Sequence, residues 1–377
     1  MAYYFLFPEL DTTLYSHPDR SEMNAGNDEI LELVKEKGSS NSHYYPSRIL
    51  VKFKDEDINN VFSKANGKKV LANLQLFSTE HQNLSSNHII EAFPVSESWD
   101  EGTGKYSNLP TSSNGCTWLY KDNSIYSTEW KANQFFTYSS GSIESDVISK
   151  GGGTWYIKSP LNANDKFKSS QSFSNTDLLD LNLDVSLAVI NQYKGRIKNE
   201  GFIIKNNDST EEFTSSSRGH LQFFSADTHT IYPPKLTFKW NDSKHHDFQY
   251  NNPKINGELN ISLYRNKKEY NQNDEALIRL HVRDKYPNRS FTTSSNYLDS
   301  GYFTTSSFYS IRDAHTEEEI IPFDDDFTKL SSDKEGMFFK LYINGLQPER
   351  YYRILFKHIN DDGTEIFDNN YHFKVVR

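Results

Sequence analysis

Apolar and polar residues alternate over most of this chain, the two-residue period of a strand that buries one face. Ile49, Val51 and Phe53 share one side of Arg48–Lys54, and Ala72, Leu74 and Leu76 repeat the pattern in Val70–Phe77. Leu236, Phe238 and Trp240 alternate with Lys235, Thr237 and Lys239. Pro233 and Pro234 stand at the entry to that strand, where no ladder hydrogen bond has to be donated. The period breaks within Leu181–Lys205. Leu181, Leu183 and Val185 alternate as a strand, Asp184 and Ser186 are helix-capping residues, and Leu187, Ile190 and Tyr193 then fall at i, i+3 and i+6. This spacing predicts a short amphipathic helix seated on those three residues. Asn199 and Gly201 supply a turn, and Phe202–Ile204 resumes as a strand. A lone short helix among strands marks a binding or assembly module rather than an enzyme.

Tyr3–Phe7 is an apolar run closed by Pro8, expected to tuck into a sheet as a first strand. The alternative is an interface arm of Tyr3, Tyr4, Phe5 and Phe7 docked on a neighbouring subunit. Asn24–Val34 reads as a turn followed by a strand or one helical turn, and Trp155–Ile157 as a strand after a Ser/Gly-rich segment. Asn241–Pro253 is polar and turn-rich, the composition of a linker. Beyond it, Leu259–Tyr264, Ala276–Val282, Phe308–Arg312, Met337–Ile343, Tyr352–His358 and Tyr371–Val376 are short alternating strands between turn signals. That is the pattern of an immunoglobulin-like sandwich. The expected organisation is all-β: one domain over residues 1–240, a linker over 241–253 and a second domain over 254–377.

Composition narrows the function. Aromatics make up 14% of the 377 residues, with 23 Tyr and 26 Phe, a bias that favours strands. A net charge of −10 and a pI near 5.7, without any basic stripe, argue against nucleic acid as a partner. No apolar run approaches the roughly 18 residues that cross a bilayer, which argues against a membrane partner. The opening MAYYFLFPEL has neither the basic region nor the long apolar core of a signal peptide. Folding in the cytoplasm is therefore expected, with lysis of an infected cell as one route out. The single Cys116 leaves no disulfide framework and no cysteine-based zinc site, and is expected to be a small buried hydrophobe.

Several segments, taken in order, resemble the DNRLRE-type jelly roll, a β-sandwich related to carbohydrate-binding modules. They are Thr13-Leu14-Tyr15 with Asn24-Ala25-Gly26-Asn27, then Ser47–Phe53, Ala72–Leu76 and Ser98-Trp99-Asp100-Glu101-Gly102. Asp184-Val185-Ser186 with Asn199–Phe202, and Ser217-Arg218 with Pro234-Lys235-Leu236, complete the set. The resemblance covers about Leu10–Trp240 and departs in the long loop Asn108–Gly153, so no ligand site is carried over. Leu346–Tyr352 resembles the Leu-x-Pro-x-x-x-Tyr run of fibronectin type III domains, whose tyrosine hydroxyl bonds back to the chain at a strand corner. The resemblance implies a jelly-roll β-sandwich with one short helix, followed by an Ig-like β-sandwich. It is similar to patterns in structural proteins of tailed bacteriophages. The expectation that follows is a non-enzymatic virion component, assembled in the host cytoplasm. It would decorate or brace the neck, tail or capsid as a symmetric oligomer among other virion proteins.

Candidate chemistry is sparse. The chain has no GxSxG elbow, P-loop, HExxH or Gly-rich dinucleotide turn. No catalytic residue, metal ligand or cofactor is expected. His220, Asp227 and His229 imitate a metal cluster by proximity alone, His245-His246-Asp247 lies in the linker, and Asp324-Asp325-Asp326 reads as an acidic turn. Tryptophans invite a sugar-stacking reading, because an exposed indole can lie on a pyranose ring. Trp99 is expected in the core, and Trp118 and Trp130 are the candidates for exposure. They define the alternative function, a carbohydrate-binding adhesin or fibre module that recognises a host surface glycan. A polysaccharide-degrading enzyme on the same scaffold is a third reading and requires converging carboxylates.

Overall fold

The computed structural model describes the chain except for Met1 and residues 39–43, 83–87, 106–112, 125–126, 131–150, 160, 163, 165, 174–178, 212–218, 245–257, 265, 287–290, 292–300, 304–305 and 361–362. Ser217-Arg218, His245-His246-Asp247 and most of the expected linker lie outside the described residues. With 51% strand and 9% helix, the protein is an all-β sandwich. In chain order the elements begin β1 (Ala2–Leu6), β2 (Leu10–Tyr15), β3 (Ile30–Lys37), β4 (Tyr44–Lys52), α1 (Asp55–Ala65), β5 (Val70–Leu76), β6 (Ser78–Gln82) and β7 (His88–Pro94). They continue β8 (Tyr120–Asp122), β9 (Thr128–Glu129), β10 (Ser169–Phe173), β11 (Leu181–Asp184), α2 (Ser186–Tyr193), β12 (Phe202–Asn206), α3 (Asp208–Glu211), β13 (His220–Phe224) and β14 (Lys235–Trp240). Then come β15 (Leu259–Tyr264), β16 (Glu269–Asn271), β17 (Glu275–Asp284), β18 (Ser307–Asp313), β19 (Glu319–Ile321), β20 (Ser331–Asp333), β21 (Gly336–Tyr342), β22 (Tyr351–Asn360) and β23 (Gly363–Val376). The chain divides into two compact units. One is Leu6–Lys64 with Leu71–Thr237; the other is Phe238–Arg377 with Met1–Phe5 and Ala65–Val70.

The first unit is organised on a sheet of order β10-β7-β12-β4-β3-β13-β6, to which β2 adds by pairing with β4. β4 is buried from Tyr45 to Val51, so its alternation separates two interiors rather than interior from solvent. Arg48 and Leu50 therefore share one face, and Ile49 and Val51 the other. A second layer contains β5 and β11, paired antiparallel from Leu181↔Leu76 to Asp184↔Asn73. Both strands bury alternate residues as their sequences predict, Val70, Ala72, Leu74 and Leu76 in β5 and Leu181 and Leu183 in β11.

Three α-helices stand among the described residues where one was expected. α1 carries Asp55, Glu56 and Asp57 in its first turn and Lys64 in its last, which suits the helix dipole. It buries Ile58, Val61 and Ala65, a helical spacing legible in the sequence but hidden in a polar stretch. It ends at Asn66 and Gly67, both with positive φ. α2 occupies its predicted place but turns the other way. Ala188, Val189, Asn191 and Gln192 are buried, whereas Leu187 is 40% and Tyr193 44% exposed. Ala188 and Val189 face inward with two amides, whereas of the three residues expected to seat the helix Leu187 and Tyr193 are exposed and Ile190 is half-buried. Asp184 does not cap α2. Its Oδ1 instead accepts from the Ser186 N–H at 3.0 Å and Oγ at 2.5 Å, closing a turn just before the helix. Trp155–Ile157 is not a strand; Trp155 makes a single bridge to Val95.

The second unit is a sandwich of two sheets, β15-β17-β21-β20 and β16-β23-β22-β18-β19. The six strands read from the sequence of this region are all present, with three short ones, β16, β19 and β20, added at sheet margins. The Tyr352 hydroxyl accepts from the Gln347 N–H at 2.7 Å and donates to its carbonyl at 3.1 Å, the corner that the Leu346–Tyr352 pattern implied.

β1 supplies part of this unit's core. Tyr3 and Phe5 are buried in one cluster with Ile278, Tyr309, Ile343 and Leu346. The Tyr3 hydroxyl donates to Asp324 Oδ2 at 2.9 Å, and Asn344 Nδ2 donates to the Phe5 carbonyl at 3.2 Å. A Cβ on Gly345 would lie 2.1 Å from the Phe5 ring, so glycine is required for that approach. Tyr4 meets the Tyr342 ring edge-on at 5.5 Å. These residues pack within their own chain, which replaces the interface arm; Phe7 lies past the end of β1 and is half-buried. Phe5→Ala should destabilise this unit by about 3–5 kcal/mol. Urea unfolding at several protein concentrations checks it: a midpoint that shifts with concentration would restore the arm docked on a neighbour.

Candidate functional site

Neither Trp118 nor Trp130 is available for stacking. Trp118 is 0% exposed and Trp130 7%, and the Trp130 indole N–H donates to the Thr117 carbonyl at 3.0 Å. Both belong to a buried cluster with Trp99, Trp155, Cys116, Leu14, Leu50 and Ile203. The expected exposure fails because both indoles turn inward, Trp118 against the Arg48 guanidinium and Trp130 onto the Thr117 carbonyl. Trp99 is in the core as expected, with its N–H on the Glu200 carbonyl at 2.9 Å.

This cluster surrounds a buried charge. The Arg48 guanidinium carbon lies 4.7 Å from the Trp118 ring centre and 5.1 Å from that of Trp155. Its Nε and Nη2 reach Glu211 Oε1 and Oε2 at 3.1 and 2.8 Å, and Nη1 donates to the Gly152 carbonyl at 2.8 Å. Lys205 Nζ joins Glu211 at 3.4 Å and Asp208 at 2.9 Å. Two cations face two carboxylates, the fork is bidentate, and the aromatic faces supply a further attraction of about 2 kcal/mol when dry. Gly152, at φ +75°, leaves no room for a side chain: a Cβ there would sit 2.5 Å from Arg48 Nη1 and 2.7 Å from Trp118.

Two carboxyl groups are shifted strongly. Asp11 is 1% exposed, and burial pushes it up to about 7 although the Ala226 N–H and Ser225 hydroxyl donate to its two oxygens. Glu101 is pushed up to about 8 by burial and by the Asp11, Asp227 and Asp100 carboxylates, while its Oε1 accepts from the Asp11 N–H at 2.6 Å. Such values suit proton transfer in principle. Asp11, however, is enclosed with both oxygens engaged, so it braces the Ser225–Asp227 turn rather than meeting a substrate.

No group of three or more His, Cys, Asp or Glu among the described residues is arranged to hold a metal ion. His220 Nε2 lies 3.3 Å from Glu32 rather than in a cluster with Asp227 and His229. Asp324 accepts from the backbone of Asp326 and Phe327, an acidic turn as expected. Cys116 is buried, which raises its thiol.

A cleft of about 500 Å³ opens beside α2, between the first turn of α1 and the loop after α2. Asn59, Tyr156, Gln192 and Tyr193 line it, with Arg196 and Lys198. Asp55 and Glu200 complete its charge. The loop wall is fixed: Asn199 Nδ2 donates to the Phe53 carbonyl at 2.8 Å, and Lys52 pairs with Glu200 at 2.9 Å. Gly201, at φ +84°, brings that wall to β4, where a Cβ would lie 2.2 Å from the Val51 carbonyl. The cleft escaped sequence reading because its residues are individually unremarkable polar ones; the exposed Tyr193 was the signal, misassigned to the core.

No protein-family model matches the chain. No curated relative matches it either. Among solved structures, a DUF4785 family protein from Legionella pneumophila is similar over 82% of this chain at 10% identity, with a TM-score of 0.19. The chain spans 63% of that protein's length. A structure described as a receptor binding domain is similar over 97% of this chain and 67% of its own, at 11% identity and a TM-score of 0.16.

Arg48→Ala should cost about 3–5 kcal/mol, because Glu211 would keep a buried charge without its main partner; chemical denaturation of the full chain measures it. A second expectation concerns pH. Asp11 and Glu101 bind protons more tightly folded than unfolded, so stability is highest below about pH 4 to 5 on their account and falls as pH rises through 7 to 8. Glu101→Gln keeps the acceptor for the Asp11 N–H and removes one charge. Its melting temperature should fall less between pH 6 and 9 than that of the parent, by about 2–4 °C; parallel slopes would refute the coupling.

Proposed function

We propose that the chain is a non-enzymatic structural protein of a tailed-bacteriophage virion, bracing or decorating the neck, tail or capsid through symmetric protein–protein contacts. The observation that carries this reading is the outer face of the β15-β17-β21 layer in the second unit. Tyr264 is opposite Arg279, and Arg279 is opposite Phe338, so three strands present one lateral row. Leu277 is exposed one pleat along β17, and Tyr264 is exposed at the sheet margin. Arg279 is held over the Phe338 ring at 5.3 Å and fixed by both oxygens of Asp333 at 2.8 and 2.7 Å. Tyrosine, arginine and apolar neighbours held rigid on a sheet are the chemistry of protein contact centres. Repetition of such a modest face by symmetry supplies avidity without a deep pocket.

The buried ion cluster of the first unit supports the same role, since it stiffens loops. The jelly-roll resemblance of Leu10–Trp240 supplies the virion context. Purified virions of the phage that encodes this chain should contain it at a fixed copy number set by the local symmetry. Leu277→Glu should lower its incorporation severalfold while leaving the isolated chain folded. Particles that lack the chain altogether would overturn the reading.

A further inference from the structure

We infer that the cleft beside α2 binds a neutral pyranose sugar, with Tyr193 as the platform and Gln192 as the hydrogen-bonding anchor. The inference does not rest on the virion reading, and it places sugar recognition away from the tryptophans. Tyr193 lies flat on Phe62, with ring centres 4.1 Å apart and planes 8° apart, while 44% of the residue remains exposed. One ring face is thus taken by Phe62, which fixes the orientation in which the rest of the ring meets solvent. A rigid exposed aromatic ring suits the apolar face of a pyranose.

Gln192 supplies the second observation. The residue is 7% exposed and lines the cleft, yet neither its amide oxygen nor its amide nitrogen has a hydrogen-bond partner among the described residues. An amide buried without partners is costly, so its retention at a cleft wall points to a ligand that both donates and accepts. A sugar hydroxyl does both at once. Both amide atoms are closed to solvent in this structure, so binding requires the side chain to turn into the cleft.

Charge chooses among polar ligands. Arg196 and Lys198 share the cleft with Asp55 and with Glu200, whose carboxylate Lys52 already holds. With Glu200 held by Lys52 and Arg196 by Asn191, the neutral amides of Gln192 and Asn59 are left to meet a ligand, which favours an uncharged, hydroxyl-rich one. Arg196 is already oriented by Asn191 Oδ1 at 3.3 Å, and the exposed amide of Asn59 adds a donor and an acceptor. The volume of about 500 Å³ is within the range of small-ligand sites.

The test uses the full chain. Free maltotriose and cellotriose are titrated by calorimetry, and an array of bacterial lipopolysaccharide and capsular glycans is probed in parallel, which separates a free sugar from a surface glycan. At least one neutral-sugar probe should bind with micromolar to millimolar affinity. Gln192→Leu should weaken that binding at least about tenfold without lowering the melting temperature, because it removes an unpaired amide and keeps the volume. Tyr193→Ala should weaken it similarly, and it decides the matter should the leucine variant fold poorly. Binding that survives both substitutions overturns the inference; so does binding to anionic sugars alone, or to none. Virion composition is a separate readout, so failure here leaves the structural role to stand or fall by itself.

Discussion

Arg48 is the constraint around which the first unit is arranged. Placing a guanidinium in the middle of a central strand, where it is 1% exposed, is tolerable only if every donor is met. Two of its directions are met by Glu211 on α3 and a third by the Gly152 carbonyl, while Trp118 and Trp155 close on the planar faces. Segments far apart in sequence are thereby committed to one geometry. Gly152 must be glycine, Glu211 must follow β12 closely enough to reach inward, and the indoles must line the interior. Arginine suits this place better than lysine, since its fork matches a carboxylate and its planar charge sheds water at lower cost.

That constraint also explains which parts of the fold were legible. Strands that bury one face, such as β5, β11 and those of the second unit, could be read residue by residue because period two reports directly on solvent. β4 was legible as a strand, but its partition into two interiors was not, for an arginine at position 48 reads as a polar outward residue. The same blindness displaced the tryptophans. Size and loop context pointed Trp118 and Trp130 outward, but their partners, Arg48 and the Thr117 carbonyl, are made by tertiary folding. α2 was placed in the right segment and faced wrongly, because i, i+3, i+6 spacing selects a stripe without saying whether bulk or close approach decides which stripe goes in. The Ala188 and Val189 side won, and the tyrosine left outside became the wall of a cleft.

Polar groups in the first unit fall into two sorts. Most are matched so fully that they can only hold structure: Asp11 with Ser225 and Ala226, Arg48 with Glu211, Tyr15 with Glu32 at 2.8 Å. A few buried atoms are left unmatched, among them both ends of the Gln192 amide. A titratable group displaced toward neutrality is not by itself a mark of chemistry, as Asp11 demonstrates. An unmatched group that does not titrate can be the better guide to a ligand.

The position of β1 has a consequence for biogenesis. Tyr3 and its partner Asp324 are 321 positions apart, so the opening segment leaves the ribosome long before the strands that shelter its rings exist. At typical elongation speeds that interval is on the order of tens of seconds, during which an aromatic, β-prone peptide waits uncovered. A contact of such separation carries a large loop-closure entropy. Until the trailing sandwich is complete, chaperone capture or premature self-association through this strand competes with its burial.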